Sequence, residues 1–196
     1  MHEPRLNKAL GLGYMVNPHG ADHCDSLIDI FFSAFGEQPN VTIPEFAPLG
    51  LEPAPFHGID SRKVALFKAL QSKRIVCDSL VLCMFLPYSL TQMAELTSAV
   101  TGHETSVTEL LRVSERILTT FRIFNMREGF TAADDKLPAR SFEPTIGGPL
   151  ADRPLDFEEM EGAKRSYYQL MGWDKNGVPL NEKLEELGIE YLAAKK

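Results

Sequence analysis

The stretch SVTELLRVSERILTTFRIFNMREG, residues 106–129, decides the fold class. Its apolar residues recur every three or four positions, the spacing that places side chains on one face of an α-helix. Ser106 and Glu109 fit the pattern of a capping box, in which each side chain pairs with a backbone N–H at the start of the helix. Gly129 marks its end. The expected apolar stripe consists of Val107, Leu110, Leu111, Ile117, Leu118, Phe121 and Phe124.

Helical patterns recur on both sides of this stretch. Residues 59–85 carry apolar residues at helical spacing, and Pro87 stops the pattern, so we expect Cys83 at a helix end or in the turn after it. Capping patterns at Ser89 and Asp156 begin two further helices, and a short terminal helix follows the second of these.

The secondary structure of the remaining segments is predicted from their proline and glycine content and from the spacing of their apolar residues. Residues 22–36 fit an amphipathic helix that a glycine ends. Residues 1–20, 37–57 and 129–154 are rich in proline or glycine, which predicts loops. Because no segment alternates convincingly between apolar and polar residues, we expect a mostly α chain.

Composition bounds the size and the partners of the protein. The 196 residues are 44% hydrophobic, which suits one domain or two small packed regions, and we place these at about 1–88 and 89–196. The net charge of −7, from 27 acidic and 20 basic residues, argues against a phosphate-backbone footprint. Nucleic acid is therefore not an expected partner.

The apolar stretches bear on the cellular compartment of the protein, and the number of cysteines bears on the state of its thiols. The chain does not open on a secretory signal pattern, and its longest nearly uncharged apolar stretch, 79–90, is too short to span a membrane. We expect a cytoplasmic protein without membrane contact. Three cysteines are an odd number, so at least one thiol should be free or bound.

The first candidate site is DSLVLCMF, residues 78–85, which places Cys83 inside an apolar run. Lone cysteines in such runs are most often buried. The alternative is ligation of an iron–sulfur cluster, which takes four thiolates. Because the chain has only Cys24, Cys77 and Cys83 and no CxxC pair, such a cluster needs thiolates from outside the chain. The residues alone leave both interpretations open.

The second candidate is PHGADHCDS, residues 18–26, where His19 and His23 stand four residues apart among two aspartates and a cysteine. These residue types also bind zinc. A proline and a glycine interrupt any helix that would align the two imidazoles, and no second pair at ligand spacing exists. A satisfied or surface histidine is favoured over zinc, and a general acid in a pocket is the functional alternative.

Taken in order, four segments resemble one family. The family is that of the tungsten-containing aldehyde:ferredoxin oxidoreductases, and the likeness to their C-terminal half runs from about residue 2 to about residue 188. The family's fold encloses a tungsten (or molybdenum) bis-pyranopterin and one [4Fe–4S] cluster between a β-rich N-terminal domain and two α-helical domains. The resemblance therefore implies the α-helical domains of that fold. The matching segments are 2–24, 76–85, 115–140 and 167–189.

The resemblance also implies roles for particular residues. DSLVLC matches the family motif DxxGLC at Asp78, Leu82 and Cys83, which implies that Cys83 is the fourth cluster ligand. It implies that Asp78 holds the amine edge of a pterin beside the Leu82–Cys83 backbone. His23 falls where the family has a histidine near the metal, proposed to donate a proton. Val81 replaces the motif's glycine, and a β-branched residue is strained if that position needs a positive φ.

Nothing in the sequence resembles the family's β-rich N-terminal domain or its CxxCxxxC segment. We therefore expect a gene fragment, one subunit of a split enzyme or a truncated chain, inactive in isolation. The implied partners are the missing domain or subunit, ferredoxin and a small aldehyde, and a homodimer could cover an exposed apolar face. The alternative is a helical interaction module that kept the fold and lost the chemistry.

Overall fold

The computed structural model describes residues 2–29, 33–34 and 46–193, with backbone alone for 33–34. Among these residues no helix combines the length and apolar character needed to cross a membrane. The strands β1 (Ser33–Ala34) and β2 (Ala54–Pro55) pair in parallel over two residues. The prediction of a mostly α chain is confirmed by the helices α1 (Lys8–Val16), α2 (Ser61–Ser79), α3 (Leu90–Thr101), α4 (Val107–Arg127), α5 (Phe157–Leu170) and α6 (Asn181–Leu187).

The central element is α2, which packs against α1, α4 and α5. Its buried face includes Val64, Phe67 and Leu70, and one continuous cluster of buried residues joins α1 through α5. A smaller cluster joins the end of α4 to α6. The core therefore crosses the division at residue 88, and the two subregions stay a prediction.

Local hydrogen bonds start the helices where the sequence predicts them. At α3 the Ser89 hydroxyl accepts from the Gln92 N–H at 3.2 Å, and the Gln92 side chain accepts from the Ser89 N–H at 2.9 Å. Ser106 accepts from the N–H three residues on at 3.1 Å, and Asp156 does the same at 2.8 Å. These bonds satisfy backbone donors that helix starts leave unpaired.

The loop predicted for residues 1–20 is wrong over 8–16, which form the buried helix α1. Its glycines allow close packing, since a Cβ on Gly13 would lie 2.0 Å from the Ser26 hydroxyl oxygen. The start of α1 is held by Asp29, whose buried carboxylate accepts from the Ala9 N–H at 3.0 Å. The same carboxylate pairs with buried Lys63 of α2 at 2.6 Å.

The helix predicted for residues 22–36 is wrong over 22–28 and 33–34, and residue 29 has 3₁₀ conformation. Residues 22–28 form turns and bends, and 33–34 belong to β1, while 30–32 and 35–36 lie outside the described residues. Asp22 accepts from the Cys24 N–H at 2.8 Å, and the Ser26 hydroxyl donates to the Asp22 carbonyl at 2.8 Å. These bonds compete with the helical hydrogen bonds.

The loop predictions for 37–57 and 129–154 have different outcomes. Residues 37–45 lie outside the described residues, and 46–57 are irregular apart from β2 and one 3₁₀ turn, Ala47–Leu49. The second loop is confirmed, with a 3₁₀ turn at Ala139–Phe142.

The apolar stripe predicted on α4 is correct at Leu110 and Leu118, which are buried. It is wrong at Phe121 and Phe124, which are 46% and 58% exposed. Arg122, which lies between these two phenylalanines in the sequence, is buried. In the last part of α4 the buried face therefore differs from the predicted stripe. Two phenylalanine rings consequently lie on the surface.

Candidate functional site

A left-handed turn follows α2 and places the residues of the DSLVLC segment. The Val81 N–H donates to the Asp78 carbonyl at 3.1 Å, and the Leu82 N–H donates to the Cys77 carbonyl at 2.8 Å. This pair of bonds is the Schellman ending of a helix, which normally needs glycine at the left-handed position. Val81 occupies that position with φ of 57°, and no other non-glycine residue in the described part of the chain has a positive φ.

Cys83 follows this turn and is exposed, with its thiol outside any disulfide. The interpretation of a buried cysteine is therefore wrong for Cys83; it holds for Cys77, which is buried in α2. Asp78 is also exposed, and Leu82 is half-buried against the core. Phe85 is exposed beside them. The three residues assigned to a cofactor thus lie on one exposed, largely apolar turn.

His23 lies in the segment between α1 and β1 with its side chain 45% exposed. Its ring packs edge-on against the His2 ring at a centroid distance of 5.0 Å. The nearby His19 instead pairs with the carboxylates of Asp22 at 3.0 Å and Asp25 at 3.4 Å. His19 is therefore a satisfied surface histidine.

Two groups of three possible metal ligands occur in this segment. They are Asp22 with His23 and Cys24, and Asp22 with His19 and Asp25, with ligand atoms within 4.8 Å of one another in each group. Burial raises the pKa of the Cys24 thiol, which disfavours the thiolate that zinc binds. A hydrogen bond from the Cys24 N–H lowers the pKa of Asp22, which keeps its carboxylate in the ionised form that a metal ion binds. The thiol and the carboxylate thus have opposite effects on zinc binding, and a surface histidine stays the favoured prediction.

Arg74 of α2 contacts the segment that bears Cys83. Its Nη1 donates to the Met84 carbonyl at 2.9 Å, next to Cys83. Burial raises the pKa of Asp25, with the Asp78 carboxylate raising it further and Arg74 lowering it, so these charges lie near one another. The residues 22–25 and 78–84 therefore face one region, although no contact joins His23 to Cys83 among the described residues. Arg74 was not predicted; its position one helical turn before Asp78 is the available signal.

A buried polar network supports the segment that bears His23. The Tyr167 hydroxyl of α5 donates to the Gln71 side chain of α2 at 2.7 Å, and Gln71 donates to Asn17 at 2.7 Å. Asn17 donates to the Ser26 hydroxyl at 3.2 Å and to the Asp22 carbonyl at 3.1 Å. In the sequence, the only indication of this network is the presence of polar residues within apolar helical segments.

Comparison with protein families decides the assignment. Residues 1–189 match the model described as "Aldehyde ferredoxin oxidoreductase, domains 2 & 3". The chain belongs to the aldehyde ferredoxin oxidoreductase family. The implied family and the implied helical fold are thus confirmed.

Several proteins are similar to this chain in sequence. The tungsten-containing aldehyde ferredoxin oxidoreductase of Pyrococcus furiosus is 30% identical over 194 residues, covering 96% of this chain and 29% of that enzyme. The Thermococcus kodakarensis enzyme is 30% identical over 198 residues, covering 97% and 30%. An aliphatic sulfonate oxidoreductase, WOR-like subunit, of P. furiosus is 30% identical over 119 residues. This chain spans about 30% of the length of the first two relatives.

A solved structure shares the fold of this aldehyde ferredoxin oxidoreductase family member. The active-site complex BamBC of benzoyl coenzyme A reductase, in complex with 1,5-dienoyl-CoA, matches with a TM-score of 0.65 and 20% identity. The match covers 95% of this chain and 31% of that one. At this identity the likeness supports the fold alone.

Proposed function

We propose that this chain forms the α-helical part of an oxidoreductase that converts an aldehyde to a carboxylic acid and passes the electrons to ferredoxin. The observation that carries this proposal is the turn after α2. Val81 adopts a left-handed φ of 57°, a conformation that favours glycine, at the position where the family motif has glycine. This agreement supports the assignment of Asp78, Leu82 and Cys83 to the motif. The exposed, unpaired thiol of Cys83 suits a metal ligand better than a core residue.

The donor set fits part of a cofactor cage. Cys83 supplies one of the four thiolates of a [4Fe–4S] cluster, and the other three come from residues outside this chain. The tungsten (or molybdenum) pyranopterin supplies the redox chemistry when it is bound. The exposed Asp78 carboxylate accepts hydrogen bonds from the amine edge of a pterin. Because the Leu82 N–H already donates to the Cys77 carbonyl, Leu82 would contact a pterin with its carbonyl oxygen or its side chain.

His23 holds or moves a proton in this proposal. Its imidazole is partly exposed, with a weak contact between Nε2 and the Cys24 sulfur at 3.9 Å and with Nδ1 lying 4.0 Å from Asp22 Oδ1. An imidazole exchanges protons near neutral pH, which suits general acid–base work. The Gln71–Asn17 network fixes the segment that presents it.

Metal analysis tests the proposal. The tagged chain is purified anaerobically from its native host with any co-purifying polypeptide, and tungsten, molybdenum and iron are counted per chain. We expect about four iron atoms and about one tungsten or molybdenum atom, together with a β-rich partner that carries the remaining cysteines. Cys83→Ser should lose the cluster iron, whereas Cys24→Ser, which changes a thiol outside the motif, should keep it.

The helical interaction module is the other outcome of this experiment. A folded chain without metal and without a cysteine-bearing partner contradicts the oxidoreductase assignment. The exposed apolar side chains of Val81, Phe85 and Leu86 then serve a protein contact instead of a cofactor contact.

A further inference from the structure

The hydrogen bonds that end α2 reach only as far as Leu82, whose N–H donates to the Cys77 carbonyl at 2.8 Å. The next bond along the chain closes a second turn, residues 83–86, in which the Leu86 N–H donates to the Cys83 carbonyl at 3.1 Å. Cys83 and Leu86 are exposed, so packing does little to fix this second turn. The position of the Cys83 thiol therefore depends on contacts between the turn and the rest of the molecule.

Arg74 of α2 makes such a contact. Its Nη1 donates to the Met84 carbonyl at 2.9 Å, a distance typical of a hydrogen bond from a charged donor. The Arg74 Nε is buried, so protein encloses the side chain next to its guanidinium group. Because Met84 follows Cys83 directly, with Cα atoms about 3.8 Å apart, a fixed Met84 carbonyl limits the positions open to Cys83.

The same guanidinium places a positive charge in this region. Burial raises the pKa of the Asp25 carboxyl and of the Cys24 thiol, and the charge of Arg74 opposes both shifts. An iron–sulfur cluster with four thiolate ligands is negatively charged, and it becomes more negative when it accepts an electron. A nearby cation therefore favours the reduced cluster and raises its reduction potential.

A purely structural role for Arg74 makes a different prediction. A cation on the last turns of a helix stabilises that helix by interacting with its unpaired carbonyls. This interaction involves neither the turn 83–86 nor a cluster. In that role, a substitution of Arg74 lowers the overall stability and leaves the opening of the turn and the potential of the cluster unchanged.

We propose that Arg74 is a positioning residue for the iron–sulfur cluster. Its hydrogen bond to the Met84 carbonyl holds the Cys83 thiol in place for the metal, and its charge favours the reduced cluster. The inference rests on the proposed function, because it takes Cys83 as a cluster ligand. It adds a residue four positions before the motif, which acts on the cluster through Cys83 and not as a ligand.

Amide exchange in the isolated chain tests the hold on the turn. Arg74→Met keeps an unbranched side chain and removes the donors and the charge. The Leu86 N–H should then exchange with water at least about threefold faster, because the turn opens more often without a bond from a charged donor. The Gly102 N–H, which donates to the Ser98 carbonyl at the end of α3, should keep its rate. Arg165→Met, at an exposed arginine of α5, is the matched control and should change neither rate.

The reduction potential of the cluster in the assembled enzyme tests the effect of charge. At the potential that leaves half of the unaltered clusters reduced, Arg74→Met should raise the ratio of oxidised to reduced clusters at least about threefold. This change corresponds to a shift of about 30 mV, at 59 mV per tenfold for one electron. Arg165→Met should leave the potential unchanged.

The outcomes separate this inference from the proposed function. A Leu86 exchange rate or a cluster potential that Arg74→Met leaves unchanged overturns the inference while the proposed function stands. An unaltered chain that takes up no cluster with any partner overturns both. If Arg74→Met does not fold, Arg74→Lys takes its place, since it keeps the charge and shortens the side chain. Faster exchange of the Leu86 N–H with an unchanged potential is then expected, and an unchanged exchange rate overturns the inference.

Discussion

At the scale of one residue, Val81 shows a conflict between side chain and backbone. A β-branched residue in the left-handed region costs about 1–3 kcal/mol, and the Schellman bonds of α2 hold Val81 there with φ of 57°. Its side chain is 90% exposed, so little packing offsets the strain. The conformation therefore depends on the rest of the turn, which includes Cys83.

We expect Val81→Gly to stabilise the chain. Glycine removes the strain and costs about 0.5–1 kcal/mol of backbone entropy, which leaves a gain of about 1 kcal/mol. Urea unfolding should show a higher midpoint with an unchanged slope. Val100→Gly is the matched control, because Val100 is an exposed valine inside α3, where glycine should lower stability. Equal effects of the two substitutions would show that Val81 is not strained.

At the scale of elements, Glu115 of α4 connects α2 and α6. Its carboxylate accepts from Lys68 of α2 and from Lys183 of α6, both at 2.5 Å. Burial acts to raise the pKa of Glu115, but the hydrogen bonds and charges of the two lysines outweigh it and hold the pKa below its ordinary value. The folded state thus prefers the ionised carboxylate.

The pH dependence of stability should report this contact. A carboxyl group whose pKa is lower in the folded than in the unfolded chain stabilises above its unfolded pKa of about 4.3, and this contribution is lost as pH falls through the folded pKa. The difference in unfolding free energy between the unaltered chain and Glu115→Gln should therefore be largest above about pH 5 and shrink towards pH 3. Glu95→Gln, on the exposed face of α3, should show a much smaller difference. A Glu115→Gln difference that stays constant with pH would contradict the assignment.

An element could be predicted from the sequence when the interactions that form it join residues close together in the chain. The starts of α3, α4 and α5 were predictable because Ser89, Ser106 and Asp156 bond to backbone three residues away. The helix α1 was missed because Gly13 indicates a turn in sequence, whereas its lack of a Cβ is needed for contact with Ser26. That contact exists only in the folded molecule.

Some features of the candidate site could likewise be predicted from the sequence, and others could not. Pro87 predicts that a helix ends near Cys83, but α2 ends earlier, at Ser79, in the turn of Val81. The likeness of the segment to a family motif follows from a short pattern. The support from Gln71 joins segments that are far apart in sequence, and the bond from Arg74 to Met84 depends on how the chain turns after α2. Contacts of this kind produce no periodic pattern in the sequence, so only the folded structure shows them.

At the scale of the whole molecule, the core determines whether the chain unfolds in one step. The helix α2 belongs to the first of the two predicted subregions, yet it packs against α4 and α5 of the second. The hydrogen bond from Tyr167 to Gln71 crosses the same division inside the core. Unfolding either subregion alone would expose this shared apolar surface and break a buried polar contact, which is costly.

We therefore expect one cooperative transition. Trp173 reports on the second subregion by fluorescence, and Cys77, buried in α2, reports on the first by thiol labelling in a Cys24→Ser, Cys83→Ser background. Both signals should give the same midpoint in urea, since the loss of either half removes the packing surface of α2. Labelling of Cys77 well before the change at Trp173 would instead establish two subregions that unfold separately. Coincident midpoints would make α2 the element on which both halves depend, and with it the turn that presents Cys83.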